Sequence, residues 1–66
     1  MLSQQEIENR LAEIEAEIPR LRLDMNTFYR EFEDRTDRLC EDVRDDQQEY
    51  VLDRLREMVD RAGING

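Results

Sequence analysis

The feature that most constrains this chain is an apolar stripe. Ile7, Leu11, Ile14, Ile18, Leu21, Met25, Phe28 and Phe32 follow one another in steps of four and three. That alternation is a heptad repeat with Ile7, Ile14, Leu21 and Phe28 at position d and Leu11, Ile18, Met25 and Phe32 at position a. The expected fold class is all-α. The phase crosses Pro19 without a slip, and Pro19 itself falls off the stripe. An interior proline costs about 3 kcal/mol and removes one helical hydrogen bond. A kinked but continuous helix keeps the phase, whereas a turn would restore it only by coincidence. The competing reading is a true break near Pro19. There Arg20-Leu21-Arg22-Leu23 alternates like extended chain, and Asp24 caps a new helix with Leu23 stapled to Phe28.

The ends are marked clearly. Ser3-Gln4-Gln5-Glu6 has the spacing of a capping box, with Leu2 and Ile7 at the two positions of a hydrophobic staple. Ala62-Gly63-Ile64 has the form of a Schellman ending, with glycine at C′ and Ile64 set to touch Val59. Asn65-Gly66 should fray.

Beyond Phe32 the pattern loosens. The next d position is Arg35, and the apolar line resumes one step later as Thr36, Leu39 and Val43, a stutter-like shift. It thins at Asp45-Asp46-Gln47-Gln48 and returns as Val51, Leu55, Met58 and Ala62. Asp46-Gln47-Gln48-Glu49 has capping-box spacing, so a turn joining antiparallel helices is expected there. The expected build is one helical domain over 1–66. It holds a long helix at about 4–44, kinked or broken near Pro19, a shorter antiparallel helix at about 47–62, and a frayed tail at 63–66. The shorter helix spans about 24 Å against about 60 Å for the longer. It leaves the Ile7–Leu21 stretch uncovered. The eight stripe residues are therefore the expected oligomer interface, in a hairpin or coiled coil that pairs with itself as a homodimer or higher assembly.

Size supports that expectation. A chain of 66 residues rarely draws more than about 3–5 kcal/mol from one core, and disulfides, metal or association usually assist. With one Cys and no His, an internal disulfide and an ordinary Cys/His zinc site are excluded, which leaves association. Neither a signal peptide nor a membrane span is legible, because no apolar run exceeds Tyr50-Val51-Leu52. The lone Cys40 fits a reducing compartment, and a cytoplasmic location is expected.

The charge narrows the partners. Eighteen acids against ten bases, all of them Arg, give −8, which repels nucleic acid and anionic membranes. Residues 31–60 carry −7 of this. Glu41, Asp45, Glu49, Asp53 and Glu57 form a ladder of acids four apart. Spread over about 45 Å of helix, the half carries one net charge per about 6 Å, against one per about 1.7 Å in duplex DNA. Interspersed Arg residues at i+3 and i+4 read as a solvated helix face. Asp24-Met25-Asn26 opens like a calcium loop, but Phe28 and Tyr29 stand where a ligand and the turn glycine belong. No cofactor or metal is expected.

Catalysis is argued against by inventory. There is no His, the only Ser is the cap, and Cys40 is flanked by Glu41 and Asp42, which raise a thiol pKa. The expected function is a non-catalytic protein-interaction module, an adaptor, co-chaperone or regulator. In size, acidity and hairpin build it is similar to small plasmid-encoded helical hairpins and to hairpin co-chaperones of secretion systems, a similarity of type that carries no site. The alternative is an inhibitor whose acidic half blocks a basic, nucleic-acid-binding site on a target protein. Candidate partner-binding residues are Tyr29, Tyr50, Glu41, Asp45, Glu49 and Asp53.

Overall fold

In the computed structural model, which describes residues 1–64, the chain forms three helices rather than two: α1 (Gln4–Leu21), α2 (Met25–Asp42) and α3 (Asp45–Arg61). Asn65-Gly66, expected to fray, lie outside the described residues. At the first boundary the Glu6 amide donates to Ser3 Oγ at 3.2 Å and the Ser3 amide to Glu6 Oε1 at 2.9 Å. The backbone hydrogen bond from Ser3, then the one with its side chain, holds the Glu6 carboxyl below its ordinary value. Leu2 and Ile7 pack into the core, and the Leu2 amide donates to the Asp42 carbonyl at 3.1 Å.

Helix α1 includes Pro19 but ends two residues later, so the unbroken phase does not carry one helix onward to Phe32. The break falls at Arg22–Asp24, where no residue adopts positive φ. Asp24 is extended and caps α2, accepting from the Asn26 amide at 3.0 Å. Leu23 is 87% exposed, so the Leu23–Phe28 staple does not form. The stretch expected over 4–44, kinked or broken near Pro19, is therefore two helices, with the break and the Asp24 cap of the competing reading. Its phase survived because each half carries its own stripe and the short link joins them in register. Leu21 and Met25, which bridge the halves, are half-buried and exposed respectively.

The second link, Val43–Arg44, lies two residues earlier than expected and is no longer than expected. Val43 leaves α2 in extended conformation while staying buried, and Arg44 starts α3 without a side-chain cap. Asp45 and Asp46 sit in the first turn, where carboxylates meet the positive end of the helix. Asp46 is thus not the cap, and the helix begins earlier than its capping-box spacing implied. Keeping Val43 in the core makes the chain turn at that residue. At the far end Gly63 has φ 75°, and the Ile64 amide donates to the Val59 carbonyl at 3.2 Å. The Gly63 amide donates to Asp60 at 3.0 Å, which completes the Schellman motif.

All three helices meet around one core. Ile7, Leu11, Ile14 and Ile18 enter it from α1, Phe28 and Leu39 from α2, and Val51, Leu55 and Met58 from α3, with Val43 and Ile64 closing it. Helix α2 runs antiparallel to its neighbours, so α1 and α3 are parallel: Glu8 meets Arg54 and Glu15 meets Arg61. With α2 folded back on α1 and α3 packed beside both, Ile7, Leu11, Ile14 and Ile18 are buried within the chain itself. The mismatch of lengths that called for a second chain is absent. No helix among the described residues is long and apolar enough to cross a membrane.

Candidate interaction surface

Most residues expected at an oligomer interface lie inside the bundle. Ile7, Leu11, Ile14, Ile18 and Phe28 are buried, Leu21 and Phe32 are half-buried, and only Met25 is substantially exposed. The gap in the stripe at Arg35 is filled electrostatically. Its guanidinium meets Glu17 at 2.8 Å and Glu31 at 3.2 Å, clamping α2 to α1. Burial opposes its charge, but the hydrogen bonds to Glu31 and Glu17 prevail and raise its pKa.

Tyr50 serves a similar structural task. Its hydroxyl donates to the Glu8 carboxylate, while Arg54 Nη1 donates to Glu8 Oε1 at 2.8 Å and to the Tyr50 oxygen at 2.6 Å. The Tyr50 hydroxyl, then Arg54, holds the Glu8 carboxyl below its ordinary 4.5, and Glu8 with Tyr50 raises Arg54. In the unfolded chain Glu8 titrates near 4.5, so this stabilisation is present above that pH. It is lost as pH falls through the lower folded value. Glu8→Gln is expected to cost under about 1 kcal/mol near pH 6 at this partly exposed site, with the difference from wild type closing at an acid pH below the folded value. Urea unfolding at the two pH values checks it; a difference that persists in acid means the cluster contributes no linked charge.

The acid ladder does not form one face. Glu41 lies in the last turn of α2, whereas Asp45, Glu49 and Asp53 lie on α3, across the link. Asp53 pairs with Arg56 at 3.2 Å. Glu41, Asp45 and Glu49 are exposed and make no ion pair among the described residues.

The outward side of α2 brings together residues the sequence reading kept apart. Met25, Tyr29, Glu33, Asp37 and Glu41 follow at i+4 and are all exposed. Tyr29 is 48% exposed, with its ring edge-to-face against Phe28 at 5.3 Å, and Phe28 stacks on Phe32 at 5.6 Å. Tyr29, Arg30, Glu33, Asp34 and Asp37 line one shallow depression. Glu33 and Asp37 were missed as site residues. Their spacing from Tyr29 was visible, but which side of α2 faces water was not. Tyr29 sits near the start of α2 and Tyr50 near the start of α3, so antiparallel packing sets them at opposite ends.

Next to this edge, the Gln48 side chain donates to the Cys40 carbonyl at 3.2 Å. Burial, then Asp37, pushes the Cys40 thiol up, away from the thiolate a nucleophile needs. No three Cys, Asp or Glu side chains among the described residues gather in a way that could hold a metal ion. Comparison with known protein families, with characterised proteins and with solved structures finds nothing that matches this chain.

Proposed function

We propose that the chain is a non-catalytic protein-binding module, an adaptor or regulator of cytoplasmic setting, that docks through the corner between α1 and α2. The observation that carries this reading is the exposure of Leu23, Met25 and Tyr29 within seven residues, at 87%, 47% and 48%. Single exposed apolar residues need no explanation, but here Met25 and Tyr29 stand one turn apart on the exposed side of α2 with Leu23 in the adjoining link. Large apolar and aromatic side chains of this kind anchor protein interfaces. None of the three is needed to close the core. A variant combining Leu23→Ser, Met25→Ser and Tyr29→Ala is expected to stay helical while losing its partner in affinity capture from the source cells. Retained capture by a folded triple variant would refute this corner as the docking site.

A second reading, an inhibitor that occupies a basic site, is favoured by how the charges are spent. Eight of the ten Arg are engaged in ion pairs within the bundle. The excess of acid is therefore left facing outward. Capture that fails at high salt supports this reading; capture that survives it supports apolar docking alone.

A further inference from the structure

We infer that the occupant of this corner is a basic, amphipathic segment of another protein, lying along α2 with an apolar anchor at the Met25–Tyr29 end. The inference rests on the docking reading above and adds the chemistry of the partner. From Tyr29 the exposed face continues as Glu33, Asp37 and Glu41, one carboxylate per about 6 Å of helix. None of these three acids is in an ion pair among the described residues, whereas Asp34, one position off the row, pairs with Arg38 at 3.1 Å. The anchor and the row are continuous, so one segment with cationic side chains at matching intervals and one large apolar side chain at its end satisfies both.

Other occupants fit less well. A second copy, also at −8, would bring like-charged surfaces together. A phosphate backbone or anionic bilayer meets the same repulsion. A divalent cation needs several oxygens within about 2.6 Å of one point, and carboxylates one helical turn apart on a convex surface do not converge. Arg30, which makes no ion pair among the described residues and lines the depression with Tyr29, would reward a partner carrying one acid beside its bases.

The test uses isotope-labelled full chain and three synthetic helical peptides. The first has Arg at every fourth position followed by Leu one turn on; the second replaces Arg by Gln; the third replaces Leu by Ser. With the first peptide, amide shifts are expected at Met25, Tyr29, Glu33, Asp37 and Glu41. Affinity should fall roughly tenfold in the exposed triple variant Glu33→Gln, Asp37→Gln, Glu41→Gln, and again on raising salt from about 50 to about 300 mM. The third peptide should bind more weakly than the first. Equal binding of the Gln peptide at this edge, insensitive to salt, would overturn the basic partner while leaving the docking corner standing. Shifts confined to α3, or no shift at Met25 and Tyr29 with any peptide, would overturn the inference; the docking reading then stands or falls on capture by the apolar-corner variant. Shifts at Tyr29 that grow with protein concentration alone would instead assign the edge to a second copy.

Discussion

Phe28→Ala is expected to unfold the chain, while Phe32→Ala leaves it folded but weakened. Phe28 is fully buried at the meeting point of the three helices, and truncating such a ring costs about 3–5 kcal/mol. That equals the whole stability a core of this size ordinarily supplies, about 3–5 kcal/mol. Phe32 stacks on Phe28 but is half-buried, so its loss should cost roughly half as much. Tyr29→Ala removes an edge-to-face contact worth about 0.5–1.5 kcal/mol and leaves the core filled. Far-UV dichroism and urea titration of the three variants order them. Equal damage from Phe28→Ala and Phe32→Ala would mean that α2 is rotated from the orientation described.

The second large effect belongs to Pro19, and its sign is positive. The helix continues through it to Leu21, yet proline has no amide to offer the Glu15 carbonyl. Pro19→Ala supplies that bond on an exposed face. The full helix-interior difference is about 3 kcal/mol. Proximity to the helix end and a looser unfolded chain reduce the expected gain to about 1–2 kcal/mol. Asp24→Ala should act in the opposite sense, losing about 1 kcal/mol with the α2 cap. Thermal melts of both single variants decide the matter. A lower midpoint for Pro19→Ala would show that the ring stiffens the corner more than it weakens the helix.

Much of the fold was legible where the signal was local. The Ser3 capping box and the Gly63 ending depend on residues within a turn of one another, and both form as their spacing implies. The stripes of α1 and α3 are complete enough to name their buried residues. The break at Arg22–Asp24 was legible only as the competing reading, because two separate stripes share one heptad phase and made a long helix the simpler inference. Asp24 carried that reading correctly, since an Asp preceding an apolar face is a strong N-cap. The start of α3 was misplaced because Val43 ends α2 through tertiary burial, which no capping motif announces. Glu8, Tyr50 and Arg54 form a cluster across separations of 42 and 46 residues. Such pairings follow from helix packing and have no sequence motif. The oligomer inferred from an uncovered stripe lost its premise once α2 and α3 together proved to bury the α1 stripe.

The two links also bear on how quickly the bundle assembles. Arg22–Asp24 and Val43–Arg44 are so short that most core contacts join neighbouring helices. Helical bundles dominated by such local contacts fold in microseconds to milliseconds. The widest loops are closed between α1 and α3, by Glu8 with Tyr50 and Arg54 and by Glu15 with Arg61. Closing them costs the most chain entropy, so they form late, after the α1–α2 corner has taken shape. The same contacts are the first to open in reverse. Amide exchange is therefore expected to begin where α3 lies against α1, before the α1–α2 corner opens.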